Sequence, residues 1–302
     1  MIIAMTGATG FVGQAVLDEA AARGITVRAL TRREQPARDG VTWVQGDLGN
    51  HAALAELVGG ADAVLHIAGV VNAPDAAGFH AGNVAGTEAV LAAAKQAGLN
   101  RFVHVSSLAA REPGLSNYGK SKADAEAAVT ASSLDWTLVR PPAVYGPRDA
   151  EIFELFKAAR WHFVPMPPPG RTSIIHVEDL ARLLVELARQ GEQTFGKTYE
   201  PDDGTPGGFT HRQLAKAIGA AMGKRVWAPG VPRGLLKAAA RGDRMLRGAG
   251  AKLTPDRASY MCHPDWVSSP DKAVPPDIWQ PVISGSQGLT QTAAWYHEAG
   301  WL

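Results

Sequence analysis

Apolar and polar positions in the first two-thirds of the chain alternate between two rhythms. Short apolar runs, the mark of strands buried on both faces, are separated by stretches where apolar residues recur every third or fourth position, as on one side of a helix. The runs are Ile2–Thr6, Thr26–Thr31, Thr42–Gln45, Ala63–Ile67, Phe102–Ser106 and Trp136–Val139. Helices are expected over Gln14–Arg23, His51–Val58, Asn83–Ala97 and Tyr118–Ala131. Strand and helix in alternation predict an α/β fold, a doubly wound parallel sheet of Rossmann type.

Beyond Pro141 the texture changes. Prolines cluster at Pro165–Gly170, and the turn-rich Pro201–Gly208 follows, so the elements there are shorter. Residues 1–200 are therefore expected to form the main domain, with insertions after residue 145. Residues 201–302 are expected to form a smaller, less regular part. His176–Leu180 opens an amphipathic helix that should return to the main sheet.

A chain of 302 residues can hold such a domain and a smaller unit. A net charge of +1 gives no general attraction to nucleic acid. The single cysteine, Cys262, rules out an internal disulfide and fits a reducing compartment. The first strand begins at the first residues, which is expected to leave no room for a signal peptide, and no apolar run nears the roughly 20 residues that span a bilayer. A cytoplasmic location is expected. No Cys/His cluster has metal-ligand spacing, so no metal is expected.

Candidate chemistry sits at the ends of the expected strands. After the first comes Gly7-Ala8-Thr9-Gly10-Phe11-Val12-Gly13 and then a helix. Strand, glycine turn and helix form the setting of a dinucleotide site: small residues let the backbone approach a pyrophosphate, and helix N-terminal amides hold it. Tyr118 and Lys122, four positions apart, share one helix face. A phenol titrates near 10 unless a neighbouring ammonium favours the phenolate, so the pair is suited to acid–base work. The second strand ends Thr31-Arg32-Arg33. Sites for NAD place an acidic residue there for the ribose hydroxyls, whereas an Arg fork suits a 2′-phosphate. NADP(H) is therefore expected in preference to NAD(H).

Eight segments in order carry a family resemblance: TGATGFVG from Thr6, GDL at Gly46–Leu48, HIAG at His66–Gly69, NVAGT at Asn83–Thr87, HVSS at His104–Ser107, YGKSK at Tyr118–Lys122, RPPAVYGP at Arg140–Pro147 and IHVEDLA at Ile175–Ala181. Over about residues 1–200 the chain resembles the short-chain dehydrogenase/reductase superfamily, in its extended or atypical branch. That branch holds epimerase/dehydratase-like enzymes, the NADPH-binding accessory subunit of respiratory complex I, and bacterial reductases of keto-sphingoid lipids.

The resemblance implies roles residue by residue. Tyr118 exchanges a proton with the substrate oxygen, Lys122 lowers its pKa and reaches the nicotinamide ribose, and Ser107 hydrogen-bonds the same oxygen. Asn83 lies near the active site and joins the catalytic set. The cofactor set is Gly7, Thr9, Gly10, Phe11, Val12, Gly13, Arg32, Arg33, Asp47, Leu48, Ala68, Gly69, Ser106, Pro141, Pro142, Ala143 and Val144, with Tyr118 and Lys122. His66 and His104 read as strand-end packing residues, and Asp179 as a structural hydrogen-bonding group. The expected activity is NADPH-dependent reduction of a hydrophobic ketone, with a nucleotide-sugar epimerase or dehydratase and a non-catalytic NADPH-binding assembly subunit as alternatives. Oligomeric state stays open.

Two further stretches bear on the partner. Trp161–Met166 follows an expected helix at Glu151–Arg160 and supplies apolar surface. In Arg233–Gly250, Arg233, Lys237, Arg241, Arg244 and Arg247 fall on one helical arc, opposite Leu235, Ala238, Ala239, Met245, Leu246 and Ala249. Such a helix either packs its apolar side inside a domain or lies on an anionic membrane, giving peripheral contact at the inner membrane.

Overall fold

The computed structural model describes residues 1–251 and 253–302; the side chain of Ala249, expected on the apolar arc, lies outside the described residues. The chain divides into two units. The first takes Met1–Arg140, Leu180–Tyr199 and Val274–Trp279; the second takes Pro141–Asp179, Glu200–Ala273 and Gln280–Leu302. The division differs from a single cut at residue 200, because segments from before and after that point share a core. Tyr145, Phe156 and Ile174 cluster with Leu214, Ile218, Leu289 and Tyr296.

In the first unit, strands β1 (Ile2–Thr6), β2 (Thr26–Thr31), β3 (Val41–Gln45), β4 (Ala63–His66), β5 (Arg101–Val105) and β6 (Asp135–Val139) join the short strand Lys197–Tyr199 in one sheet. The spatial order is Lys197–Tyr199, β6, β5, β4, β1, β2, β3, with every neighbouring pair parallel. Every residue of β4 and β5 is buried, His66, Arg101 and His104 included, as in a parallel strand covered on both faces. The strand order reverses at β1, flanked by β2 on one side and β4 on the other. Parallel sheets of this kind open a crevice beyond the strand C-termini at such a switch point.

Helices Phe11–Ala22, His51–Val58, Gly86–Gln96 and Asn117–Thr130 connect the strands. The helix expected from Asn83 starts earlier: Ala76–Phe79 runs into a π-helical turn, His80–Ala85, before Gly86–Gln96. Gly86 sits within this helix because of packing. A Cβ on it would meet Leu48 Cδ1 at 2.6 Å. Leu54, Leu57, Val64, Val90, Phe102 and Leu138 fill the core beside them, each worth about 1.5–3 kcal/mol of burial. The helix Val177–Arg189 does return to this sheet through its Leu180–Arg189 part: the buried Arg101 guanidinium donates to Leu187 O at 2.6 and 3.1 Å.

The second unit pairs the strands Ala143–Tyr145 and Ile174–His176, and holds a three-stranded sheet of Phe209–Thr210, Arg171–Thr172 and Asp265–Trp266. Asp179 has the structural role expected of it, accepting the Val282 and Ile283 N–H groups at 3.1 and 2.9 Å. The helix in the basic stretch covers Arg233–Arg247 and closes in a 3-10 turn at Gly248–Gly250. Its apolar arc is not packed. Ala240 is its one buried residue among those described, while Leu235, Met245 and Leu246 are 61, 86 and 86% exposed. Among the described residues no helix is long and apolar enough to cross a membrane.

Candidate active site

Beyond the end of β1 the glycine loop makes a close-fitting turn. Gly7 has φ +78°, and a Cβ there would stand 2.7 Å from Ala68 N. A Cβ on Gly13 would stand 2.1 Å from Gly7 O. Neither position admits a side chain without moving backbone. Gly10 caps Phe11–Ala22 with no side chain across the helix end, and no acidic residue occupies the first turn. Such a helix start presents unpaired N–H groups and a positive dipole end. Thr9 and Gly10 are exposed, and Phe11 and Val12 half-buried. The loop fits the pyrophosphate of a dinucleotide, which needs close backbone approach and N–H donors.

Across the β1/β4 register Thr6 stands opposite His66, and the pair anchors the loops on both strands. Thr6 Oγ1 lies 2.6 Å from His66 Nδ1 and accepts the Ala68 N–H at 3.2 Å. His66 Nε2 lies 3.0 Å from Thr87 Oγ1, whose proton goes to Asn83 O at 2.6 Å. Thr87 therefore accepts, so Nε2 carries the imidazole proton and Nδ1 receives one from Thr6. Burial, with Lys122 adding to it, holds His66 down to about 3. His104 is pushed well below its ordinary value by burial and by the Lys122 and His66 charges. Both histidines are buried, with rings stacked at 5.2 Å, as packing residues would be.

Asn83 joins the loop after β4 to the helix carrying Tyr118. Its side-chain Oδ1 accepts Val70 N–H at 2.6 Å, while Nδ2 donates to Val70 O at 3.0 Å and Ser121 Oγ at 2.8 Å. Ser121 passes its own proton to Tyr118 O at 2.8 Å. With both amide protons spent on protein, Asn83 has the bonding of a positioning residue. The helix Asn117–Thr130 begins at Ser116, whose Oγ accepts the Gly119 N–H at 2.9 Å. A Cβ on Gly119 would come within 2.7 Å of Ala109 O, so this glycine seats the helix against the turn after β5.

That seating places Lys122. Its side chain is buried, and Nζ donates to Val105 O at 2.9 Å. Burial pushes its pKa down to about 8, opposed by Glu126 one turn further along. Tyr118, half-buried one turn before Lys122, has its ring 6.1 Å from Phe79. Ser107 caps the turn Leu108–Arg111, its Oγ accepting Ala109 N–H at 3.2 Å, which leaves the hydroxyl proton to donate elsewhere. Ser106 is buried, its N–H on Val139 O at 2.7 Å. A Cβ on Gly69 would sit 3.1 Å from Asn83 Oδ1 and 3.3 Å from Lys122 Nζ, so these three residues meet at one place.

Toward β2 and β3, Thr31 is buried and turns its hydroxyl to Arg33 O at 2.7 Å, leaving Arg32 and Arg33 exposed. Asp47 accepts the Gly49 N–H at 2.9 Å, and Leu48 packs on Gly86. Pro141, Pro142, Ala143 and Val144 belong to the second unit, where Ala143 and Val144 pair with Ile174 and Ile175. Among the described residues no group of three His, Cys, Asp or Glu side chains could hold a metal ion. The sequence reading missed the Thr6–His66–Thr87 chain, Ser121 and Gly119. The one available hint was Asn83 and Thr87 four apart, on one helix face.

A family described as NAD(P)H-binding matches residues 7–190. The chain belongs to this family, has a Rossmann-type fold and is an NAD(P)-dependent oxidoreductase. It is 38% identical over 311 residues to a protein of Caulobacter vibrioides named ceramide reductase, covering 100% of this chain and 96% of that one. It is 31% identical over 336 residues to a 2-alkyl-3-oxoalkanoate reductase of Stenotrophomonas maltophilia, covering 97% and 99%. Among solved structures it is similar to MoeE5 in complex with UDP-glucose and NAD, with TM-score 0.75, 20% identity and 99% of each chain covered. At that identity the likeness concerns the fold.

Proposed function

We propose that this enzyme uses NADPH to reduce the ketone of an apolar lipid, a 3-keto sphingoid lipid or an oxidised ceramide, with Tyr118 as proton donor. The observation that carries the reading is Lys122: a buried ammonium, held on Val105 O one turn from Tyr118. Burying a charge is costly unless it serves a neighbour, and a phenol that must give up a proton is such a neighbour. Tyr118 Oη delivers its proton to the substrate oxygen as negative charge gathers there. The ammonium stabilises the phenolate left behind. Ser107 donates its hydroxyl proton to the same oxygen, and Asn83 positions the Tyr118 turn through Ser121.

When bound, the reduced nicotinamide supplies the hydride. The loop Gly7–Gly13 would hold the pyrophosphate, Asp47 and Leu48 the adenine side, Ala68, Gly69, Ser106 and Lys122 the ribose side, and Pro141–Val144 the nicotinamide. The exposed Arg32 and Arg33 suit a 2′-phosphate. Arg32→Ala is therefore expected to weaken NADPH binding roughly ten- to hundredfold, the loss of a charge-assisted bond, and to leave NADH binding nearly unchanged. Calorimetric titration of both cofactors reads this; equal losses would remove the assignment.

The lipid substrate is supported by the whole-length relative named ceramide reductase. No observation favours nucleotide-sugar chemistry, since the likeness to MoeE5 speaks for the fold. The Ser107, Tyr118 and Lys122 set supports turnover over a purely structural role. NADPH consumption against 3-keto sphingoid bases, oxidised ceramide, simple ketones and nucleotide sugars tests the reading. Turnover is expected with the ketolipids; turnover confined to nucleotide sugars would replace it.

A further inference from the structure

Helix Arg233–Arg247 packs through the side its cations straddle and turns its larger apolar residues the other way. Ala240 is buried, with Leu236 and Asp243 half-buried beside it on the packed side. Arg233, Lys237, Arg241, Arg244 and Arg247 are exposed along one arc. Leu235, Met245 and Leu246 stand in solvent on the opposite side, at 61, 86 and 86% exposure. Apolar side chains this long are costly to leave in water when the helix already has a packed side to put them on. The helix itself carries five basic residues and one acid, Asp243, which pairs with Arg247 at 3.3 Å, while Arg233 in the first turn donates to Cys262 O at 2.8 Å.

A second exposed apolar group lies in the same unit. Trp161 is 82% and Trp227 69% exposed, and the Phe163 and Trp227 rings stand 5.3 Å apart. The Trp227 segment runs beside 163–166, with Val164 N–H on Trp227 O at 3.0 Å and Val231 N–H on Met166 O at 2.8 Å. It then leads through Pro232 into the basic helix. Exposed tryptophans and cation-flanked leucines are the side chains that settle at a bilayer's headgroup level.

We infer that helix Arg233–Arg247 docks the enzyme on an anionic lipid surface, its leucines and Met245 entering the acyl boundary and its cations meeting the headgroups. This goes beyond the proposed reaction and is measured without substrate, so either can fail alone. The test is co-sedimentation of the full chain with vesicles of phosphatidylglycerol and phosphatidylcholine, against phosphatidylcholine alone, at low and high salt. Binding is expected to the mixed vesicles at low salt and to fall steeply as salt rises, each basic side chain contributing roughly fivefold. Lys237→Ala with Arg241→Ala should then weaken binding roughly 25-fold. Leu246→Glu should abolish it without moving the melting temperature or the turnover of a water-soluble ketone, since Leu246 is exposed. Absence of anionic-vesicle binding, equal binding to neutral vesicles, or a large melting-temperature loss in Leu246→Glu would overturn the inference. So would sedimentation velocity showing a self-associated wild type that Leu246→Glu makes monomeric, which would give this face to a second copy.

Discussion

Tyr118→Phe is expected to lower turnover by roughly 10²–10⁴-fold, the range of general acid catalysis, while NADPH affinity stays near that of the wild type. The substitution removes one oxygen and keeps the ring that faces Phe79 at 6.1 Å. Its helix remains held by Ser116 on Gly119 N–H and by Asn83 on Ser121. The melting temperature should therefore hold, which separates a lost proton donor from a lost fold. Lys122→Ala should lower both turnover and cofactor affinity if, as proposed, its ammonium serves the phenol and the ribose side together. Steady-state kinetics and calorimetry on the two variants read the contrast. Full turnover in Tyr118→Phe would remove the proposed acid.

Stability is expected to fall steeply on mild acidification, through His66 and His104. In the unfolded chain each imidazole takes up a proton near pH 6.5. In the fold, burial and the Lys122 charge hold His66 to about 3 and His104 well below its ordinary value. A depressed folded pKa gives stability that is complete above the unfolded value and lost as pH falls toward the folded one. Each histidine then costs up to about 1.4 kcal/mol per pH unit, or about 4 kcal/mol for the pair by pH 5. Protonating His66 Nδ1 would reverse its bond with Thr6, whose Oγ1 already accepts the Ala68 N–H, and the two rings stack at 5.2 Å, so two cations there would repel. Urea unfolding at pH 7, 6 and 5 measures this, and His66→Gln should flatten part of the slope. A stability that is flat across that range would contradict the neutral, buried assignment.

The parallel sheet was legible because β4 and β5 are buried on both faces, so apolar neighbours such as Ala63–Leu65 and Phe102–Val103 follow one another without polar alternation. Tyr118 and Lys122 were legible for the opposite reason: helical spacing puts i and i+4 on one side whatever surrounds them. The Thr6–His66–Thr87 chain was not. Thr6 and His66 are sixty positions apart and meet through the β1/β4 register, which no local pattern encodes. The edge strand Lys197–Tyr199 was missed because three residues carry too little periodicity. Its place is set by Arg140 N–H on Tyr199 O at 2.8 Å. For Arg233–Arg247 the helical wheel gave the cationic arc but not the packed side. That side is set by Ala240, a small residue that fits close against its neighbours, while the larger apolar residues point away.

The proposed hydride transfer to a lipid ketone can be followed by incubating the enzyme with a 3-keto sphingoid lipid and NADPH carrying deuterium at the transferable nicotinamide position, then weighing the product. One alcohol is expected per NADPH consumed, with the deuterium on the carbinol carbon, and almost no product in Tyr118→Phe. Unchanged ketone with the cofactor intact, or product without the label, would contradict it.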